Sequence, residues 1–165
     1  MSQSSPSIAS SGSVETGSAL PQKLHFPLGL IGFPQWTEFS LEVVRESPPF
    51  LLMQAVGEGA PEFVVMQPGG VLPDYELTLR DEDCEALGIQ RASDATVLNI
   101  VTIRSANPQY VTVNLAGPVI VNRASGRGRQ IILVNNRGYS TEHVLVDQRE
   151  AGVRGDSAGA PAPEI

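Results

Sequence analysis

The stretch YVTVNLAGPVIVN, residues 110–122, alternates as a β-strand does but contains a Gly-Pro pair in its middle. Proline cannot donate to a strand ladder, so Pro118 is expected at a sheet edge, at a bulge or at a corner between sheets. Because strand side chains alternate between two faces, the apolar spacing predicts one continuous face across the interruption, without a change of register. The residues of that face are Val111, Val113, Leu115, Val119 and Val121.

Further β-like runs surround this stretch at the close spacing that is typical of all-β domains. DYELTL (74–79) alternates, which places Tyr75, Leu77 and Leu79 inward and leaves Glu76 and Thr78 facing solvent. The pattern predicts an all-β domain, either a small barrel or a sandwich. The other runs are TEFSLEVVRE (37–46), PPFLLMQAV (48–56), PEFVVMQP (61–68), ATVLNIVTI (95–103) and RQIILVNN (129–136).

One short helix is predicted over residues 80–88, RDEDCEALG. Asp81 is a suitable N-cap, and the acidic residues after it favour the positive end of the helix dipole. Gly88 can adopt the left-handed conformation that ends many helices.

The composition predicts a single domain with a tail at each end. Residues 1–22 are Ser-rich and residues 148–165 are Gly-, Ala- and Pro-rich, compositions that cannot bury enough apolar surface to order a chain. Residues 23–147 remain as the β-domain. No apolar stretch approaches the roughly 18 residues of a membrane helix, and the single cysteine fits a reducing compartment, so a cytoplasmic protein is expected.

The charge is unevenly distributed along the chain. The net charge is -7, and residues 1–99 hold 4 basic and 13 acidic groups, whereas residues 100–165 hold 7 basic and 5 acidic groups. This balance disfavours nucleic-acid binding, which needs clustered Lys and Arg, and it suits a basic protein partner. The carboxylates of Glu76, Asp81, Glu82 and Asp83 are candidates for that surface, and a merely solvated face is the alternative.

The sequence offers no catalytic, cofactor-binding or metal-binding pattern. His25 and His143 have no second ligand at a metal-binding spacing, and the acidic residues lack the order of a calcium loop. Cys84 lies among carboxylates, which disfavour the thiolate that a nucleophile needs. We therefore expect a protein that is not an enzyme.

Two motifs carry a family resemblance. The opening FPLGLIGF provides Phe26, Gly29, Leu30, Gly32 and Phe33, and the bent strand provides Asn114, Leu115, Pro118, Val119, Val121 and Asn122. Together with the runs between them, in order and spacing over residues 24–146, they resemble the FliW family of bacterial flagellar assembly factors.

The resemblance implies a cytoplasmic partner switch with an all-β fold, a small antiparallel β-barrel-like domain with one short helix. Family members bind flagellin before its export and bind the translational repressor CsrA once flagellin has left the cell. By this resemblance Asn114, Pro118 and Asn122 join the carboxylates as candidate partner contacts, although for the two asparagines a structural role, in hydrogen bonds to the bent backbone, is favoured over partner contact. Phe26, Gly29, Gly32, Phe33 and Gly117 are expected to be structural, with Gly117 in a conformation closed to other residues.

A second class of function remains open from the sequence. Small β-barrels often bind a small molecule in the mouth of the barrel. The low aromatic content of 5% disfavours this alternative. A monomer is expected, and neither the partner faces nor the role of the tails follows from the sequence.

Overall fold

The computed structural model describes residues 7–9, 20–44, 50–69, 71–72, 74–133 and 138–149. Strands dominate these residues, with one α-helix and one 3₁₀ turn at Ala92–Asp94. The strands are β1 (Ser7–Ala9), β2 (Lys23–His25), β3 (Glu38–Val43), β4 (Phe50–Ala55), β5 (Glu62–Met66), β6 (Glu76–Thr78), β7 (Ala95–Ala106), β8 (Gln109–Val113), β9 (Val119–Asn122), β10 (Gly128–Gln130) and β11 (His143–Asp147), and the helix α1 spans Asp81–Leu87.

The main sheet is antiparallel and open. Its strand order is β10-β9-β7-β5-β4-β3-β2, with β8 also paired to β7 and β11 paired to β8. A single parallel bridge between His25 and Arg127 links the two ends of this path, and no strand pair closes it within the described residues. The prediction of a mostly antiparallel β-domain with one short helix is confirmed, whereas a closed barrel is not.

Two hydrophobic cores lie on opposite faces of this sheet, because successive residues of β7 point to opposite sides. Val97 and Val101 face the helix-side core, which also contains Leu87 of α1. Leu98 and Ile100 face the other core, which we call the Phe26-side core after its fully buried aromatic residue.

Residues 110–122, which contain the Gly-Pro pair, include most of β8 and all of β9, and these strands pair with the two halves of β7. Val113 of β8 lies opposite Val101, and Val119 of β9 lies opposite Leu98. Between these two pairs β7 has two residues, 99 and 100, whereas the other chain segment has five, 114–118. The segment 114–118 thus contains three residues more than the part of β7 opposite it. Since three is odd, Val113 and Val119 point to opposite faces of the sheet.

The predicted continuous apolar face is therefore wrong. Val111 and Val113 belong to the helix-side core, whereas Val119 and Val121 belong to the Phe26-side core. The apolar residues keep an even spacing in the sequence, but those before and after the bend lie on opposite faces of the sheet. This is because the bend inserts an odd number of residues relative to β7.

The N-cap of the helix lies one residue earlier than the sequence suggested. Arg80, with an extended backbone, is the N-cap, and Asp81 is the first helical residue, so the prediction of an Asp81 cap is wrong. Gly88 ends the helix at a φ of 70°, in the left-handed conformation predicted for it.

The C-terminal strand run and parts of the tails also differ from expectation. Of residues 129–136, 134–136 lie outside the described residues; among the others, 129 and 130 lie in a strand and 131–133 have no regular structure. In the tail 1–22, Ser7–Ala9 pairs with β6, and in the tail 148–165 the guanidinium of Arg149 lies 3.5 Å from the centre of the Tyr110 ring. Most of the remaining tail residues lie outside the described part, so the extent of the two tails stays a prediction.

Candidate functional site

Exposed carboxylates follow one another along residues 74–85. Glu76 faces solvent from β6, between the buried Tyr75 and Leu77, as the alternation predicted. Asp81 and Glu82 face solvent from the first turn of α1. The exposed members of the set, which we call the acidic surface, are Asp74, Glu76, Asp81, Glu82 and Glu85. Arg80 is the one basic residue between positions 71 and 90.

Asp83 does not belong to the acidic surface. Its side chain is buried, with the residue only 1% exposed, and its Oδ1 lies 2.8 Å from Nη1 of Arg129. Its Oδ2 lies 3.3 Å from Nε of Arg80. A carboxylate removed from water requires such partners, and Arg129 is on β10, so this contact ties α1 to the sheet. The prediction that Asp83 points to solvent is wrong.

Asn114 forms hydrogen bonds to the backbone of the bend at residues 114–118, between β8 and β9. Its Oδ1 accepts hydrogen bonds from the backbone N–H groups of Ala116 and Gly117, at 3.0 and 2.9 Å. Pro118 beside it is buried. Hydrogen bonding of the irregular backbone by Asn114 is thereby confirmed, and these side chains are engaged inside the domain.

Gly117 does not have the unusual backbone conformation that the sequence analysis expected. Its φ is not positive, unlike that of Gly29 or Gly88. A side chain there would crowd its neighbours instead, because a Cβ would lie 3.2 Å from Nε2 of Gln130 and 3.3 Å from Nδ2 of Asn114. Close approach therefore favours glycine at this position.

Asn122 joins α1 to the turn between β9 and β10. Its Nδ2 donates to the carbonyl oxygens of Leu87 and Gly88, at 2.8 and 3.3 Å, and so satisfies groups at the helix end. Its Oδ1 accepts from the N–H groups of Ala124 and Ser125, at 2.8 and 3.1 Å. The side chain is buried and fully used, so its role in this structure is to hold the fold.

A buried polar network escaped the sequence analysis. Asn99 of β7 donates through Nδ2 to the Tyr75 hydroxyl, at 3.2 Å, and to the Asn114 carbonyl, at 3.0 Å. The Tyr75 hydroxyl in turn donates to the Leu115 carbonyl, at 2.7 Å. The network connects the start of β6 to the bend, and only the lone asparagine within an apolar run could have indicated it.

The residues of the opening motif form a tight loop after β2. Phe26 is fully buried, 5.1 Å from the Phe39 ring centre, and packs against Gly128, where a Cβ would overlap its ring. Gly29 has a φ of 67°, and a Cβ there would lie 2.5 Å from the Phe33 carbonyl oxygen. Gly32 has a φ of 89° in the same loop, and Phe33 contacts Phe63 edge to face. In this structure these residues shape the loop and its packing, and their assignment as purely structural stays a prediction.

This loop also presents an apolar surface that the sequence analysis did not single out. Leu28, Ile31 and Ile132 are 63%, 55% and 54% exposed. They line a groove of about 400 Å³, at whose side Arg80 and Arg129 lie. Exposed aliphatic residues at one groove are an indicator of partner contact. We call Leu28, Ile31 and Ile132 the aliphatic surface.

The single cysteine, a second cavity and the possible metal ligands complete the survey of the described residues. Burial, and then the nearby carboxylates Asp81 and Asp83, raise the pKa of the Cys84 thiol. A second cavity, of about 350 Å³, lies between Tyr75, Tyr139 and His143. Within the described part of the chain no three His, Cys, Asp or Glu residues are placed to hold a metal ion. No helix in that part is long and apolar enough to cross a membrane.

The fold is an open antiparallel sheet with two cores, and its acidic segment and aliphatic surface are candidate surfaces for binding another protein. The family model described as FliW protein matches residues 10–145. The chain belongs to the FliW family of flagellar assembly factors.

Relatives and a solved structure agree with this assignment. The flagellar assembly factor FliW of Clostridium botulinum is 33% identical over 126 residues, which cover 76% of this chain and 88% of that protein. The FliW of Leptospira biflexa is 35% identical over 129 residues, or 78% of this chain and 84% of that protein. A crystal structure of the flagellar assembly factor FliW matches with a TM-score of 0.70 and 29% identity, covering 86% of this chain and 97% of that chain.

Proposed function

We propose that this flagellar assembly factor acts in the cytoplasm by binding two proteins, flagellin before its export and the translational repressor CsrA. Binding of CsrA relieves repression of flagellin mRNA. The proposal includes no catalytic step. It rests on membership of the FliW family and, from this chain itself, on the exposed carboxylates of residues 74–85.

The acidic surface suits CsrA. An RNA-binding protein presents basic surface to phosphates, and an acidic face steers such a protein during encounter. Glu76 and Glu82 are exposed, and the nearest guanidinium nitrogen to Glu82 is 3.9 Å away, a weak pairing. Their charges can therefore contribute to the association rate.

The aliphatic surface suits flagellin. Export chaperones contact apolar helix surfaces, which gain nothing from carboxylates but bury well against exposed leucine and isoleucine side chains. Leu28 and Ile31 offer such contacts from a loop fixed at Gly29 and Phe26. The two partners thus have surfaces of different chemistry.

The experiment measures association rates of both partners at low and moderate salt. In the variant Glu76→Lys/Glu82→Lys we expect CsrA to associate more slowly and with a weaker salt dependence, because exposed charges act through steering. Flagellin binding should change less. The variant Glu58→Lys/Glu62→Lys is a matched control, since both residues are exposed on the β4–β5 hairpin and the net charge changes equally.

The aliphatic surface is tested with a second variant and a matched control variant. Ile31→Ser/Ile132→Ser should weaken flagellin binding and leave CsrA binding nearly unchanged. Val43→Ser/Val144→Ser changes two valines that are exposed elsewhere and should alter neither. If the wild-type chain captures neither protein, or if the control variants behave like the test variants, the proposal is wrong. A bound small molecule in the purified protein would favour the ligand-binding alternative, with the cavity beside Tyr139 as its site.

A further inference from the structure

The strand β6 lies outside the main sheet, and its only strand partner among the described residues is β1. Ser7, Ile8 and Ala9 lie opposite Thr78, Leu77 and Glu76 in antiparallel register. A segment near the start of the chain therefore sits as an added strand on an edge that would otherwise be open.

The other edge of β6 is held by a side chain. The Glu76 N–H donates to the Tyr139 hydroxyl, at 2.9 Å, and this hydroxyl donates to the Glu76 carbonyl, at 3.0 Å. Because backbone groups of successive strand residues point to opposite edges, those of Leu77 point to the edge where Ile8 lies. The edge that accepts β1 is thus built around the N–H and C=O of Leu77.

Two properties of β1 indicate that it is replaceable. The match to the family model begins at residue 10, so β1 lies before it, whereas β6 lies within it. The first charged side chain of the sequence is Glu15, so β1 brings no charge to an edge that is flanked by the acidic surface. An extended segment with basic side chains would make the same backbone pairs and gain electrostatic attraction in addition.

We propose that the β6 edge is a docking site for an extended basic segment of a protein partner, and that β1 is an internal competitor for it. Displacement of β1 opens Leu77 to pairing with that segment. Access to the backbone edge at Leu77 is then set by the fraction of molecules in which β1 is released, since the apparent affinity falls in proportion to that fraction. The identity of the partner as CsrA rests on the proposed function, but the competition itself does not.

The first experiment closes the edge. In Ser7→Cys/Thr78→Cys the two cysteines are directly opposed in the register, at the Cα separation that a disulfide requires. Oxidation with oxidised glutathione should lock β1 in place, and dithiothreitol should release it. The probe is an end-blocked peptide of alternating lysine and valine, with a glutamate–valine peptide as its control. We expect the lysine peptide to bind the oxidised form at least about tenfold more weakly than the reduced form.

The second experiment opens the edge. Ile8→Pro removes a backbone N–H and should release β1, whereas Ile8→Val retains both the donor and the strand preference. In the proline variant the Leu77 amide should exchange hydrogen faster, and the lysine peptide and CsrA should both bind more tightly than they bind the valine variant. Ser7→Cys alone, oxidised in the same way, controls for pairing with the native Cys84.

The outcomes separate the two proposals. Faster exchange at Leu77 without any change in peptide binding means that β1 merely covers the edge, and unchanged exchange means that it does not cover it; either result overturns the inference. Peptide binding that responds to the lock and to the proline, in a chain that does not bind CsrA, supports the inference and overturns the proposed partner.

Discussion

At the scale of single residues, burial and hydrogen bonding separate side chains that look alike in the sequence. Glu82 and Asp83 are adjacent carboxylates on the same helix, yet one is exposed and the other is enclosed between two guanidinium groups. Alternation and composition could not reveal this difference, because Arg129 lies 46 positions away in the chain.

Stability should respond accordingly to loss of each charge. Asp83→Asn removes the shared counter-charge of Arg80 and Arg129, and we expect a loss of about 1–3 kcal/mol, moderated because both arginines retain contact with water. Glu82→Gln should stay within about 0.5 kcal/mol. Urea unfolding of the two variants measures the difference, and equal midpoints would contradict the buried ion pair.

The two motif asparagines should differ in their tolerance of aspartate. Asn114 uses its oxygen as an acceptor, so Asn114→Asp keeps both hydrogen bonds to the bend. In Asn122→Asp a carboxylate would face the carbonyl oxygens of Leu87 and Gly88. We expect a loss of about 2–4 kcal/mol for the second variant and less than about 1 kcal/mol for the first. Thermal and urea unfolding test this order, and the reverse order would mean that the Asn122 amide does not donate to the end of the helix.

Two glycines of nearly equal conformation isolate a steric effect. Gly29 and Gly59 have φ values of 67° and 70°, but a Cβ would strike the Phe33 carbonyl only in the first case and meets nothing within 4 Å in the second. Gly59→Ala should cost about 1 kcal/mol, the strain of the left-handed region alone. Gly29→Ala should cost about 2–4 kcal/mol. Equal losses by urea unfolding would show that the loop can relax around the methyl group.

At the scale of elements, local patterns predicted what local physics decides. The alternation of Tyr75, Leu77 and Leu79 correctly gave the inward face of β6, and Gly88 correctly marked the end of α1. The strands β2 and β11 are short or lack clear alternation, and the sequence did not indicate them.

Features that depend on distant pairing could not be predicted. The side to which Val119 points follows from its register on β7, which the spacing within residues 110–122 does not contain. Whether the sheet closes depends on how its ends meet, and here they meet at one bridge beside His25. Of the candidate site, the exposure of Glu76, Asp81 and Glu82 could be predicted from the sequence. The groove beside Ile132 could not, because it forms only when the fold brings the loop after β2 next to β10.

At the scale of the whole molecule, the net charge of -7 should make stability depend on salt. Carboxylates on one segment repel each other, and salt screens this repulsion within a Debye length of about 8–10 Å at physiological ionic strength. We expect the melting temperature to rise between low salt and 0.5 M sodium chloride. The melting temperature of the variant Glu76→Lys/Glu82→Lys should rise less with salt than that of Glu58→Lys/Glu62→Lys. Equal rises would mean that the repulsion is spread over the entire surface.

The odd excess of residues in the bend at 114–118 constrains how sequences of this family can change in length. Removing or adding one residue there would exchange the faces of β9, turning Val119 and Val121 away from the Phe26-side core. Changes of two residues would preserve both cores. In an alignment of relatives, gaps at this position should therefore come in twos, even though the segment has the composition of an ordinary loop.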